Sequence, residues 1–397
     1  MTIKRLCQLA LFSFGLGGYI GAVHAQSLTA FTTCVGSGGS GSTCSLDYGS
    51  YLIPSTIMVQ RSNITITGNP SGGLYPTLKR DRTLGNPDGP TQIMALADGL
   101  SDVTIEYLNF DGAYGAGASP PSSCNPCDGN CGSWNDLAYG NDSYVDLEYV
   151  NFNNSGVNAV YIQGSNQYVY QITISNGEDA GIHIGGGSYV QIYSSTFQSN
   201  YGAGIAIAGG TSSIPTNNNI TIGADYVGNA SYHNHWGQPD CSNGGQVYFS
   251  GTSTASLVGN IIDGEYSTSD PGQQSGVEVD PGVSSLTLSG NQVYKNGAEG
   301  EGVKWNSSAV ISGDDVYGNG TYNFSFLGLQ DCSSGCVSDP NVQLDGVTSN
   351  TSGESGSPYD LYIWGFNTSS RICSTTSLSP YIVSSPSNVY YTQSTCP

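Results

Sequence analysis

The sequence predicts an all-β protein, a single-stranded parallel β-helix in the solenoid class, on three observations. Short triplets of the form apolar-x-apolar recur roughly every 20–30 residues, the period of a solenoid. Corners rich in Gly and Asn separate the triplets, and the triplets themselves favour Val, Ile and Tyr. Beyond residue 25, no stretch spaces its apolar residues at i, i+3, i+4 and i+7 as an amphipathic helix would.

Taken in order, the chain begins with Lys4 and Arg5 before an apolar run from Leu6 to Ile20, closed by Val23-His24-Ala25. That order is the signature of a secretory signal peptide over residues 1–25. The run is short and broken by glycine, so no membrane insertion is expected, and the protein is expected to be secreted to the extracellular space or the periplasm. Residues 26–397 are then expected to form one β-helix domain, with inserts at about 112–136 and 229–245 and a C-terminal cap at about 350–397. Ten of the 11 cysteines follow the leader. In an oxidising compartment, Cys34 with Cys44, Cys332 with Cys336 and Cys373 with Cys396 suggest disulfides. The pairing of Cys124, Cys127, Cys131 and Cys241 stays open, with disulfides expected there in preference to zinc.

Formal net charge is −21 with nine Lys plus Arg. Nucleic acid is excluded as a partner, because neutralising phosphates takes clustered cations. A strongly anionic ligand is disfavoured for the same reason, unless calcium bridges it. The compact cluster Lys79-Arg80-Asp81-Arg82 is expected to be solvated beside a core Leu78.

The repeat is plainest in GVNAVYIQGSNQYVYQITISN, DAGIHIGGGSYVQIYSSTF, GGQVYFSGTSTASLVGNII, SGVEVDPGVSSLTLSGNQV and EGVKWNSSAVISGDDV. These coils resemble those of right-handed parallel β-helix proteins, the architecture of pectate lyases, polygalacturonases and related carbohydrate-active proteins. The resemblance covers nearly all of residues 30–395 and implies that fold. It does not carry over a catalytic set. Asp314-Asp315 matches the polygalacturonase D-D signature, but nothing matches its G-H-G or R-I-K. Signature arginines of pectate lyases are missing too, since Arg371 is the only arginine after position 82.

Stacked coils turn equivalent positions into columns, about 4.8 Å apart. Aligning first triplets makes Val160/Ile162, Ile182/Ile184, Ile205/Ile207, Val247/Phe249, Val277/Val279 and Val303/Trp305 the inward pairs. The outward column between them reads Tyr161, His183, Ala206, Tyr248, Glu278, Lys304, and the next reads Gln163, Gly185, Ala208, Ser250, Asp280, Asn306. This face gathers Tyr, His, paired acids and a lysine, which suits sugar rings that stack on aromatics while their hydroxyls meet polar groups. The second-triplet face reads as ordinary solvated Thr, Ser and Gln.

The expected catalytic residues are Glu278, Asp280, Lys304, Tyr248 and His183. Tyr161, Asp179, His233, His235, Trp236 and Asn306 are the expected substrate contacts. Glu278 and Asp280 alternate on one strand, with backbones about 6.5–7 Å apart, a spacing that suits a water-mediated, inverting glycoside hydrolysis. Lys304 beside Glu278 makes Glu278 the base, and Asp280 among neutral neighbours becomes the acid. The function expected is therefore a secreted glycoside hydrolase acting on a polysaccharide. A uronate lyase using Lys304 with Tyr248 or His183 is the alternative, and a non-catalytic glycan-binding surface protein is a third. No cofactor is expected, although Asp-rich corners such as Asp314-Asp315 leave calcium possible.

Overall fold

The computed structural model describes residues 27–393, except for segments 83–91, 115–134, 209–219, 229–245, 265–274, 328–340, 351–358, 365–370, 375–377, 379–380 and 385–389, and for positions 178–179, 201, 253, 281, 298, 305–306 and 321. The chain winds as a coil with three faces. The first face runs from Ile57–Val59 to Tyr381–Ser384, the second from Thr43–Leu46 to Tyr390–Gln393, and the third from Ser50–Ile53 to Thr348–Asn350. Strands pair in parallel with their counterparts one coil away, as Tyr161 with His183 or Phe152 with Ile174. The long strands Val160–Tyr170 and Ile182–Tyr193 each supply two faces, and their register shifts between Ile162 and Gly164 where they turn.

Period-two alternation explains the core. Inward residues stack into buried columns such as Val160, Ile182, Ile205, Val247 and Val277. Each side chain of this size contributes roughly 1.5–3 kcal/mol by leaving water. On the third face Phe110 stacks on Phe152, ring centroids 4.8 Å apart.

The start of the coil is closed by a helix at Leu28–Val35, an element that the apolar spacing does not predict. Its eight residues hold too few turns to display an apolar stripe. Ser27 caps it by accepting the Ala30 N–H, and Phe31, Cys34 and Val35 cover the core. The expected Cys34–Cys44 disulfide joins it to the first strand, with Cα atoms 5.7 Å apart. The remaining expected cysteine pairs, the signal peptide and most of both inserts and of the C-terminal cap involve positions outside the described residues.

One corner of the coil shapes both the interior and the surface. Between the second and third faces, each coil from Tyr107 to Gly346 spends one residue at left-handed φ: Tyr107, Tyr149, Gln171, Ser194, Ala224, then Gly259, Gly290, Gly313 and Gly346. Glycine meets this demand without strain. The next residue points inward. It is apolar in early coils (Leu108, Val150, Ile172) and at Val347, and polar between them, where Ser195, Asp225, Asn260, Asn291 and Asp314 form a ladder. Asn260 and Asn291 each bond the next coil through Nδ2 and reach back to the Ile222 and Leu257 carbonyls.

The basic cluster departs from expectation. Arg80 is buried and not solvated, because its guanidinium meets Asp136 at 3.0 Å and donates to the Gly112 and Asn135 carbonyls. Burial pushes the Asp136 carboxyl up to about 6, even against the pull of Arg80 and the Ser155 hydroxyl. Lys79 pairs with Asp111 at 2.7 Å, and Arg82 lies over the Tyr114 ring at 3.8 Å.

Candidate functional site

The outward column of the first face is realised from Tyr161 to Glu278. Register pairs Tyr161 with His183, His183 with Ala206, Ala206 with Tyr248, and Tyr248 with Glu278. The Tyr161 and His183 rings lie 5.3 Å apart. Gln163 donates to the Tyr161 hydroxyl at 3.0 Å, and any side chain at Gly185 would strike that hydroxyl. Partial burial raises the Tyr161 phenol, and Gln163 opposes the shift. Buried Ala206 separates this pair from Tyr248.

Tyr248 organises the acids. Its hydroxyl donates to Asp280 Oδ2 at 2.6 Å, across to the coil that also places Glu278 beside it. Burial, then this bond to Asp280, push the Tyr248 phenol up to about 12, with the charges of Asp280 and Glu278 adding and Ser250 opposing. The phenol therefore keeps its proton at neutral pH and acts as a donor. Asp280 is fixed by its backbone as well. Its N–H bonds the Phe249 carbonyl at 2.9 Å, and its own carbonyl accepts the Ser307 hydroxyl at 2.7 Å.

Two expectations fail here. The alternating pattern leaves Glu278 exposed, yet only 8% of its surface is accessible. The column alignment sets Lys304 beside Glu278, yet Gly302 occupies that place, because Val277 pairs with Glu301 and Val279 with Val303. Lys304 lies two residues beyond Gly302 and pairs with Leu327. The slip has a physical cause: an acid, Glu301, fills an inward position where the pattern asks for an apolar residue. Its carboxyl is fully buried, and no N–H or hydroxyl among the described residues reaches it. It meets Asp314 instead. Burial foremost, and then Asp314, push the Glu301 carboxyl well above the usual carboxylate range, so it favours the neutral form. Asp314 is thus the end of the interior ladder, where it accepts from Asn291 at 3.0 Å.

Of the expected site residues, Tyr161, His183, Tyr248, Glu278 and Asp280 share one face. Asp179, His233, His235, Trp236, Asn306 and the inward partner Trp305 lie outside the described residues. Among the described residues, no three His, Cys, Asp or Glu side chains converge as metal ligands. No helix among them is long and apolar enough to cross a membrane.

The family model for the right handed beta helix region matches residues 93–332, more than half of the chain. The chain belongs to the right-handed β-helix family. Its fold is similar to the A-module of mannuronan C-5 epimerase AlgE6 from Azotobacter vinelandii, at 14% identity and a TM-score of 0.53, covering 92% of each chain. It is also similar to DFA-IIIase from Arthrobacter chlorophenolicus A6 without its lid, at 13% identity and a TM-score of 0.52, covering 87% of each chain. A match to ORF18 of Geobacillus virus E2, at 16% identity and a TM-score of 0.47, takes in 87% of this chain and spans 55% of that protein. No curated protein matches by sequence.

Proposed function

We propose that this β-helix is a secreted carbohydrate-active enzyme that hydrolyses a glycan laid along its first face, with Asp280 and Glu278 as the acid–base pair. The observation that carries this reading is the 2.6 Å bond from Tyr248 to Asp280, made beside Glu278 on one column. Asp280 accepts a proton-rich partner, as a base does, and would take the proton of the attacking water. Glu278 is the more enclosed acid of the pair, and in this reading it carries the proton. It would protonate the departing glycosidic oxygen. These roles reverse those expected with Lys304 beside Glu278, since the register puts glycine there. Alternate positions on a strand, about 6.5–7 Å apart at the backbone, leave room for the water and favour inversion.

A Tyr248 phenol pushed up to about 12 is a poor base for the elimination that a lyase needs. A chain of formal charge −21 suits a neutral glycan better than a uronate. A β-helix of similar span in an epimerase named for mannuronan lends support to a polysaccharide partner. The test is a panel of polysaccharides read for new reducing ends and for ultraviolet-absorbing unsaturated products together. New reducing ends without absorbance, lost in Asp280→Asn, support hydrolysis. Absorbance at the onset of cleavage would replace this reading with β-elimination, and silence across the panel would favour a binding protein.

A further inference from the structure

Six tyrosines form a continuous wall along the second face and its corner with the third, three to seven coils before the acid pair. Tyr75 meets Tyr107 edge-on, Tyr107 stacks on Tyr149 at 5.1 Å, and Tyr149 meets Tyr170. Tyr170 stacks on Tyr168, which in turn meets Tyr193. By sequence pattern alone this second face is plain solvated polar surface. In these early coils the tyrosines make it something else.

Tyr107 and Tyr149 stand at the left-handed corner that later coils give to Gly259, Gly290, Gly313 and Gly346. A bulky residue at φ near 55° is strained. Packing within the coil does not call for it, since glycine serves the same corner further along.

Beside this wall opens a cleft of about 270 Å³, lined by Gly73, Leu74, Tyr75, Asn109, Tyr149, Asn151 and Gln171. A small hairpin, bridged between Ser71 and Leu74, forms one lip and leaves Leu74 60% exposed. Asn151 donates to Asn109 at 2.9 Å, and Asn109 donates to the Tyr75 carbonyl at 3.1 Å. That ladder fixes the floor. Among the described residues, the Gln171 amide, the Asn151 side-chain oxygen and the Tyr75 and Tyr149 hydroxyls are left without protein hydrogen bonds. Aromatic rings with spare amide and hydroxyl groups match the alternating apolar faces and hydroxyls of a pyranose. The rise from coil to coil, about 4.8 Å, is close to the length of one such ring.

The charge on the wall selects among glycans. Glu106, Asp146 and Glu148 project from the same face, with Glu106 and Glu148 paired in register and Glu148 beside Tyr170. The two described cations on the next strand, Lys79 and Arg80, are already paired with Asp111 and Asp136. A uronate would meet repulsion here, whereas a neutral sugar would not.

We infer that the Tyr75–Tyr149 cleft is a second glycan-binding site, specific for neutral oligosaccharide, set at the corner between the second and third faces five to seven coils before the acid pair, and able to hold a chain that the first face works on. Affinity electrophoresis of the full chain through gels containing glucomannan, xyloglucan or β-1,3-glucan tests it, with polygalacturonate as the anionic comparison. Retardation by at least one neutral polysaccharide and not by polygalacturonate is expected. It should persist in Asp280→Asn and in Tyr75→Phe/Tyr149→Phe, which keep the rings. It should fall at least tenfold in apparent affinity in Tyr75→Ala/Tyr149→Ala, whose circular dichroism and melting temperature confirm the coil. Three results would overturn the site: free migration in every neutral gel, undiminished retardation of the double alanine variant, or loss in Asp280→Asn, which would move the binding to the first face.

Discussion

Two pairs of acids lie one coil apart and meet opposite fates. Glu278 and Asp280 sit on the first face under the Tyr248 hydroxyl, while Glu301 takes the core position next to Val277 and turns inward to Asp314. The chemistry of the side chains is the same. What differs is access to water and to a donor. Asp280 accepts a phenolic proton at the surface, where a substrate and a water can reach it. Among the described residues, Glu301 has no donor except its own proton, and burial favours its neutral form. An acid pair therefore becomes a candidate for catalysis through its surroundings and not through its spacing.

The largest effect that could break this contrast is expected at Asp280. Asp280→Asn should lower turnover by about 10²–10⁴-fold, the usual loss of acid–base help, with melting temperature unchanged. Equal turnover in wild type and variant would move the chemistry elsewhere on the column.

The second effect concerns the interior acids and pH. Burial pushes the Asp225 carboxyl up to about 7 from an ordinary 3.8, against the Ser195 and Gly223 N–H groups. The folded chain therefore binds a proton that the unfolded chain has released, and stability falls as pH rises between those values, by up to about 4 kcal/mol. Glu301, raised for the same reason, acts in the same direction. Asp225→Asn should flatten the Asp225 share. The new amide would extend the ladder, since register puts the Ile192 carbonyl where Ile222 stands for Asn260. Melting curves at pH 4.5 and 7.5 decide: the variant should lose clearly less than the wild type, and equal losses refute the assignment.

A smaller loss is expected from Tyr248→Phe. Removing a hydrogen bond to a charged group costs about 1.5–3 kcal/mol, which corresponds to roughly a 10- to 150-fold fall in turnover if the bond persists at the transition state. Steady-state kinetics of the folded variant check it, and turnover equal to wild type would reduce Tyr248 to a packing residue. The smallest effect belongs to Glu301→Gln, which keeps shape and neutrality. Turnover should stay within about twofold, and stability at pH 7.5 should hold or rise. A silent enzyme from this variant would erase the distinction between the two pairs.

The fold and the first-face column were legible because alternation in triplets such as Val277-Glu278-Val279 has only one solution in a stacked coil. Legibility ended at Glu301, where a protonated acid stands in for an apolar residue, and everything aligned after it slipped by two. The interior ladder did leave a trace. Gly259-Asn260, Gly290-Asn291 and Gly313-Asp314 recur just before the third strand of successive coils. Arg80 left none, because its partner Asp136 is brought near only by the winding of the coil. The tyrosine wall was hidden because linear spacing does not say which residues a corner turns outward.

The coil's parallel register also has a mechanical consequence. Each strand bonds only the strands directly before and after it on its face, so the interfaces are joined in series, and resistance to rupture is set locally. At the first coil, the Leu28–Val35 helix and the Cys34–Cys44 crosslink clamp the edge. Under tension that clamped coil should resist longest, while coils without a crosslink unspool one at a time, in a sawtooth of small extensions whose spacing reads out the length of each turn.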